Sequence, residues 1–194
     1  AHEGMGTRNP QDVLREVFGY PEFRPYQREA VELVCAGRSV LVVLPTGGGK
    51  SLVYQVPALV REGVALVFSP LIALMKDQVD QLRAVGVRAA FLNSTLSSGA
   101  RDAICAQASR GALDLLYVAP EGFFTERSQS FFASLRVSLI AVDEAHCISE
   151  WGHEFRPEYR RLAEVFDRFP KSARMALTAT ATPAVQDDIC AQLA

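Results

Sequence analysis

The stretch from Val40 to Ser51 reads VLVVLPTGGGKS, and its order of residue types predicts the fold. Val40 to Leu44 are all apolar and make up a run of strand length, which is typical of a strand buried on both faces. Three glycines, Lys50 and Ser51 follow almost at once. This change indicates that the strand ends in a tight turn and that a helix starts near Gly49.

The same alternation continues along the chain. Further apolar runs of strand length lie at Val64 to Phe68, Val87 to Leu92, Leu113 to Val118, Leu139 to Val142 and Arg174 to Leu177. Segments with helical spacing separate these runs, which is typical of parallel strands joined by helices. We therefore predict an α/β fold with a doubly wound, mostly parallel sheet and helices on both faces.

Proline and glycine mark the helix boundaries. Asn9 and Pro10 predict the start of a first helix, and Pro25 starts a second that runs to about Ala36 and stops at Gly37. The clearest helical spacing between strands is that of Leu71, Leu74, Met75, Gln78, Val79 and Leu82, and it places the apolar side chains on one face.

Composition excludes several classes of protein. The 194 residues carry 20 basic and 22 acidic side chains, so a strongly basic coat for nucleic acid is excluded, although a local basic stripe is not. No apolar run is long enough for a membrane helix, and no secretory leader is visible. We predict one domain over residues 9–194, with residues 1–8 outside the fold. We expect a soluble, cytosolic protein and not a secreted one.

The four cysteines, Cys35, Cys105, Cys147 and Cys190, are widely spaced and include no C-x-x-C pair. This spacing favours neither a zinc site nor a disulfide framework. The sequence predicts buried thiols and no zinc.

The glycine-rich turn has the chemistry of a phosphate site. Glycines let backbone N–H groups surround phosphate oxygens, Lys50 can reach the outer phosphates, and the Ser51 hydroxyl can ligate Mg²⁺. Leu44 stands where the usual pattern has its first glycine. The alternative is a plain tight turn. The predicted nucleotide-binding residues of this turn are Thr46, Gly47, Gly48, Gly49, Lys50 and Ser51.

An acidic pair follows the fifth apolar run. Asp143 at a strand end can hold Mg²⁺, and Glu144 is placed to orient and deprotonate a water beside the terminal phosphate. The alternative is an acidic pair that stabilises a helix N-terminus. With Lys50, we predict that these two carboxylates form the catalytic group.

Several motifs together resemble one family. Asp143 to His146, the turn from Gly47 to Ser51 and the Thr178-Ala179-Thr180 stretch resemble the first RecA-like motor domain of superfamily-two helicases. Further segments are similar to the RecQ family over nearly the whole chain from Phe18: Phe18 to Gln27, Ser69 to Ile72, Lys76 to Gln78 and Cys147 to Pro157.

This resemblance implies an ATP-dependent DNA helicase with ATP and Mg²⁺ as cofactors. Gln27 then reads the adenine edge, with Arg24 and Tyr20 beside the base, because an amide offers both donor and acceptor and an aromatic ring can stack. Ser51 and Asp143 become the metal ligands.

The resemblance also implies residues that sense DNA and couple it to hydrolysis: His146, Trp151, His153, Phe155, Arg156, Thr178 and Thr180. Predicted DNA contacts are Pro70, Leu71, Lys76, Asn93 and Ser94. Alternatives remain open at this stage. Trp151 fits a core tryptophan, the threonines fit helix caps, and a capped turn would explain Asn93 to Thr95.

One position departs from the family pattern. Gly122 stands where an arginine is expected, and Arg127 is the nearest replacement along the chain. The expected partners are single-stranded and duplex DNA and a second RecA-like domain that supplies an arginine finger, with no membrane. Residues 1–194 alone are expected to bind Mg·ATP weakly and to hydrolyse it slowly. The alternatives are an RNA-remodelling ATPase or a nucleotide-gated single-strand-binding module.

Overall fold

The computed structural model describes residues 8–45, 49–152, 154–179 and 181–193. In this part of the chain, one sheet of six parallel strands has the order β1-β6-β5-β2-β4-β3. The strands are β1 (Val40–Val43), β2 (Val64–Phe68), β3 (Ala89–Leu92), β4 (Leu115–Val118), β5 (Val137–Val142) and β6 (Ala173–Thr178).

Nine described α-helices connect and cover these strands. They are α1 (Pro10–Glu16), α2 (Pro25–Cys35), α3 (Leu52–Val60), α4 (Ile72–Ala84), α5 (Ser98–Ser109), α6 (Pro120–Phe123), α7 (Glu126–Ala133), α8 (Leu162–Arg168) and α9 (Pro183–Leu193). Two 3₁₀ helices, Ala145–Ile148 and Pro157–Arg161, follow β5. None of the described helices is long and apolar enough to span a membrane.

Two separate clusters of buried side chains cover the two faces of the sheet. Helices α1 to α4 pack on one face, with Val13, Val31, Val53 and Met75 fully or almost fully buried. Helices α5 to α9 contribute to the other, which includes buried aromatic side chains such as Phe132. The predicted doubly wound fold is therefore confirmed, and every described strand pair is parallel.

The six predicted strands are all present, and their bounds agree with the predicted ones to within two residues. Asn9 caps α1 through its side chain, as predicted. Helix α3 begins at Leu52, later than the predicted start near Gly49, because Lys50 and Ser51 form a preceding turn. That turn leaves the Lys50 side chain at the edge of the sheet.

The apolar face of α4 is only partly covered: Met75, Val79 and Leu82 are buried, whereas Leu71 and Leu74 are 37% and 49% exposed. The prediction of buried thiols is wrong for three cysteines, because Cys190 is exposed on α9 and Cys35 and Cys105 are only half-buried. All four cysteines are nevertheless free thiols, in agreement with the predicted absence of disulfides.

The strand order divides the sheet into two halves. In the first half, β1, β6 and β5 are neighbours, and Val43 of β1 lies opposite Thr178 of β6. In the second half, β2, β4 and β3 are neighbours. Because all strands are parallel, their carboxyl ends share one edge of the sheet, where α/β proteins bind ligands.

Candidate nucleotide site and nucleic-acid edge

Lys50 and the acidic pair meet at the carboxyl ends of β1 and β5. The Lys50 ammonium nitrogen lies 3.2 Å from Asp143 Oδ1 and 3.5 Å from Glu144 Oε1. All three side chains are largely buried, with 9–20% of their surface exposed. One positive charge faces two negative charges, which leaves the cluster with a net charge of −1. The predicted convergence of Lys50 and Glu144 is confirmed.

Glu144 has an unusual backbone conformation. Its φ of 54° and ψ of 43° lie in the left-handed region, and among the described residues it is the only non-glycine residue with positive φ. Such a conformation costs about 1–3 kcal/mol and persists where the surroundings enforce it. Two hydrogen bonds hold the turn: the Glu144 N–H donates to Asp143 Oδ1 (2.9 Å), and the Tyr159 hydroxyl donates to the Asp143 carbonyl (3.2 Å).

The turn before α3 is connected to the start of α2. Gly49 has a φ of +75°, and the Gln27 side-chain amide donates to its carbonyl at 3.1 Å. Gln27 Oε1 also accepts the Arg24 N–H at 3.0 Å. A Cβ at Gly49 would collide with the Gln27 amide, so glycine is required there for two reasons.

A cleft of about 170 Å³ opens beside this contact. It is lined by Leu14, Tyr20, Glu22, Arg24, Gln27, Gly49 and Leu52. Tyr20 is 54% exposed, so its ring is accessible for stacking, whereas Gln27 is almost fully buried. The three residues predicted to bind the adenine, Tyr20, Arg24 and Gln27, therefore line one cleft that also includes Gly49.

His146 connects the acidic pair to β6 and to the loop that follows β5. A hydrogen bond of 2.8 Å joins its Nδ1 to Thr178 Oγ1 at the end of β6. Its Nε2 is hydrogen-bonded to Glu154 Oε2 at 3.0 Å, and its Nδ1 lies 3.7 Å from Glu144 Oε2. His146 is buried and thus contacts both the acidic pair and the following loop.

Residues 147–156, which we call the aromatic loop, contain the most exposed large apolar side chain in the described part of the chain. Trp151 is 78% exposed, so the core-tryptophan alternative is wrong. Phe155 is half-buried, with the Arg160 guanidinium 5.4 Å from its ring centre. Arg156 is exposed, and its N–H donates to the Cys147 carbonyl at 2.8 Å, which joins the two ends of the loop.

Three potential metal ligands lie close together beside this loop. Side-chain atoms of His146, Cys147 and Glu154 lie within 4.8 Å of one another. Burial raises the pKa of the Cys147 thiol to about 11, so the thiol is protonated at neutral pH. A protonated thiol is a poor metal ligand, since metals bind the thiolate.

The residues predicted to contact DNA follow strands of the second half. Leu71 and Pro70 follow β2 and are partly exposed, and Ser94 follows β3 and is exposed. Lys76 is on α4, and its ammonium group lies 2.8 Å from Asp80 on the surface.

Asn93 has a different environment from its neighbour Ser94. It is 7% exposed. Its Oδ1 accepts hydrogen bonds from the Thr95 N–H and hydroxyl, and its amide donates to Met75. The capped turn, the alternative interpretation, is therefore present, and the contact of Asn93 with DNA stays a prediction.

Five residues predicted for the site lie outside the described part of the chain: Thr46, Gly47, Gly48, His153 and Thr180.

Sequence reasoning missed two contributors to the site. Glu154 holds the aromatic loop to His146, and Tyr159 holds the backbone of the acidic pair. Neither residue type signals such a role by itself. The only sequence signal is that both lie within twenty residues after the acidic pair.

The arrangement of Lys50 and the acidic pair at the edge of the sheet defines a class of protein. A glycine-containing turn with a lysine after β1, and an Asp–Glu pair after β5, are typical of domains that bind and hydrolyse nucleoside triphosphates at the edge of a parallel sheet. The chain belongs to the DEAD/DEAH box helicase family, whose model matches residues 24–189.

Curated relatives are similar over almost the whole chain. The ATP-dependent DNA helicase RecQ of Pasteurella multocida is 49% identical over 192 residues, which cover 99% of this chain and 30% of that protein. The RecQ helicase of Bacillus subtilis is 48% identical over 185 residues, covering 94% of this chain and 31% of that protein. The chain thus spans about a third of the length of these relatives.

Solved structures agree on the fold. Helicase Lhr of Mycobacterium smegmatis, bound to single-stranded DNA and AMP-PNP, has a TM-score of 0.73 at 22% identity and covers 94% of this chain and 26% of its own. The DUF1998 helicase MrfA, bound to DNA and AMPPNP, has a TM-score of 0.72 at 18% identity, with 97% of this chain and 28% of its own covered.

Proposed function

We propose that this chain is the ATP-binding motor domain of a DNA helicase, which moves along single-stranded DNA and separates duplexes as ATP is hydrolysed. The observation that carries the proposal is the meeting of Lys50 with Asp143 and Glu144 at one edge of the sheet. The names of the curated relatives support ATP and DNA as the ligands. This function would locate the protein with DNA, in the bacterial cytoplasm or the nucleus.

Lys50 has two roles in this proposal. Without nucleotide, its ammonium group neutralises part of the charge of the acidic pair. When a triphosphate binds, the ammonium group turns toward the outer phosphate oxygens, where charge develops during transfer. Glu144 then loses its cationic neighbour and becomes available to orient a water and accept its proton.

Magnesium fits the donors present in this cluster. Mg²⁺ takes oxygen ligands, and Asp143 offers a carboxylate and Ser51 a hydroxyl. The net charge of −1 that remains after the Lys50 contacts also favours a divalent cation. A bound Mg²⁺ would supply charge neutralisation at the phosphates, while Asp143 is kept in position by the Glu144 N–H and the Tyr159 hydroxyl bonded to its carbonyl.

The aromatic loop would report the presence of DNA. Trp151 is exposed and can stack on a base, which is worth about 1–3 kcal/mol. Movement of the loop would pull on Glu154, and Glu154 is hydrogen-bonded to His146. His146 in turn lies beside Glu144, so that loop position and the geometry of the proposed base are mechanically linked.

Hydrolysis at full rate would need a second RecA-like domain. Such a domain supplies an arginine finger, whose absence costs about 10³–10⁵ in rate in related enzymes. The chain spans about a third of its relatives' length, so residues 1–194 are expected to bind nucleotide and turn it over slowly.

The test is the Lys50→Ala variant. Loss of a charge-assisted contact to phosphate should weaken Mg·ATP binding by at least about tenfold, measured by calorimetry, with an unchanged circular dichroism spectrum. Lys76→Ala is the matched control, because Lys76 is an exposed lysine paired with Asp80. Equal Mg·ATP affinity of Lys50→Ala and the unmodified chain would contradict the proposed nucleotide site.

A further inference from the structure

A second cavity lies at the same edge of the sheet, in the half formed by β2, β4 and β3. It occupies about 240 Å³ at the carboxyl ends of β3 and β4. Polar side chains from the loops after these strands line it, together with Arg101 of α5: Asn93, Ser94, Glu121 and Thr125. Arg101 is the one cationic side chain in this lining.

Arg101 is held in place by two neutral hydroxyl groups. Its Nη2 donates to Ser128 Oγ at 2.6 Å, and Ser128 is fully buried. The Thr125 hydroxyl also donates to Ser128 Oγ at 2.8 Å, which fixes the acceptor. A guanidinium has five N–H donors, and this contact uses only part of them.

The charge of Arg101 is not neutralised within the described part of the chain, where none of the ion pairs includes it. A half-buried guanidinium without a counter-ion is stabilised when an anion enters its cavity. Arg127, a neighbour on α7, differs because it is exposed and forms an ion pair of 3.1 Å with Asp102. Of the two arginines, Arg101 therefore has the charge available for a ligand.

Gly122 gives this cavity its shape. It lies on α6, lines the cavity, and has open space where a side chain would start. Because glycine adds no charge at this position, Arg101 supplies the positive charge of the lining. Glu121 is exposed at the same lining, and its negative charge repels an anion.

We propose that Arg101 binds a backbone phosphate of the nucleic-acid strand, and that the cavity beside Gly122 is a phosphodiester subsite. This inference rests on the proposed function, because the strand is the ligand of the proposed helicase. Ser94 adds a second donor, since its hydroxyl is exposed at the same cavity. Neutral hydroxyls and arginines are the usual partners of phosphate oxygens.

The experiment measures binding of a fluorescent thymidine oligonucleotide to the unmodified chain and to Arg101→Ala by anisotropy, over a series of salt concentrations. Loss of one charged phosphate contact should weaken binding about tenfold at low salt. It should also reduce the slope of log affinity against log salt by about 0.7, the value for one phosphate on a single strand. A second oligonucleotide sequence should show the same loss, because a phosphate contact does not read bases.

Arg127→Ala is the matched control, because it removes the same charge from a neighbouring surface position. Its affinity should stay within about twofold of the unmodified chain at moderate salt, since surface ion pairs contribute little. Glu121→Gln should act in the opposite direction and tighten binding. Equal losses for Arg127→Ala and Arg101→Ala would mean a general effect of charge and would overturn the subsite.

Two further outcomes separate this inference from the function on which it depends. If the unmodified chain binds oligonucleotide and Arg101→Ala, shown to be folded by its thermal transition, binds equally well, only the subsite is wrong. If the unmodified chain binds no oligonucleotide, the proposed DNA-binding function fails with it. A third outcome combines two observations: millimolar inorganic phosphate shifts the NMR resonances of Arg101, and Arg101→Ala leaves oligonucleotide binding unchanged. That outcome would identify a site for free anions instead.

Discussion

The two halves of the sheet edge are built differently although they belong to one sheet. In the β1-β6-β5 half, charged groups are buried and in contact, as in the Lys50–Asp143 pair at 3.2 Å. The backbone there includes the left-handed Glu144. In the β2-β4-β3 half, most polar side chains of the cavity are neutral, and its two charged residues, Arg101 and Glu121, form no ion pair in the described residues.

This difference matches two kinds of ligand. A triphosphate concentrates its charge within a few ångströms, so its site needs converging charges that are positioned before binding. A nucleic-acid strand spreads one charge per nucleotide, so separate donors along an edge are sufficient. The aromatic loop lies at β5, where the two halves meet, since β5 is the neighbour of β2.

The largest expected effect separates chemistry from binding within the first half. Glu144→Gln in a chain extended by the second RecA-like domain should reduce DNA-stimulated hydrolysis by about 10²–10⁴, because an amide cannot accept the proton of the water. Affinity for Mg·ATP and for single-stranded DNA should remain similar, as measured by calorimetry and anisotropy. Glu62→Gln, an exposed carboxylate paired with Arg136, is the control. Retained hydrolysis in Glu144→Gln would remove Glu144 from its role as the base.

The next effect tests communication between the halves. Trp151→Ala in the same extended protein should leave basal hydrolysis unchanged and should abolish its stimulation by single-stranded DNA. The free energy of unfolding should change by less than about 0.5 kcal/mol, because the side chain is 78% exposed. Steady-state ATPase assays with and without DNA, and urea unfolding, are the measurements. Stimulation that survives the substitution would show that the aromatic loop does not couple the halves.

The smallest effect compares two glycines with similar backbone angles. Gly49 and Gly86 have φ of +75° and +84°, but only at Gly49 would a Cβ collide with another side chain, that of Gln27. Gly86→Ala should lower the free energy of unfolding by about 1–2 kcal/mol, the cost of the left-handed conformation. Gly49→Ala should cost about 1 kcal/mol more, from overpacking, and should weaken nucleotide binding. If Gly49→Ala and Gly86→Ala lowered the free energy of unfolding equally, the Gln27 side chain would move away from the new Cβ without an energetic cost.

Much of the fold was predictable because it follows from local chemistry. Buried parallel strands are apolar at almost every position, and this pattern identified all six strands. The order of strands in the sheet was not predictable, since pairing depends on long-range contacts that no single run specifies. Spacing alone also does not select the packed residues of α4: Leu74 and Met75 both belong to its predicted apolar face, but only Met75 is buried.

Within the site, the positions of charged groups were predictable and their partners were not. Lys50 and Glu144 follow strands that end at one edge, so their meeting follows from topology. Thr178 and His146 were both predicted to belong to the site, and the structure joins them by a hydrogen bond. The internal bonds of Asn93 and the availability of Arg101 depend on competition among nearby donors and acceptors, which only the folded chain reveals.

The bond between the Arg156 N–H and the Cys147 carbonyl has a consequence for how such domains diversify. A segment whose two ends meet at one backbone position can be lengthened, shortened or exchanged while the chain on either side keeps its path. The surface proposed to sense DNA could then vary between relatives without moving Glu144 and Asp143, which lie three and four residues before it. The loop that would select the nucleic-acid strand and the residues that would act on the phosphates could therefore change independently within one domain.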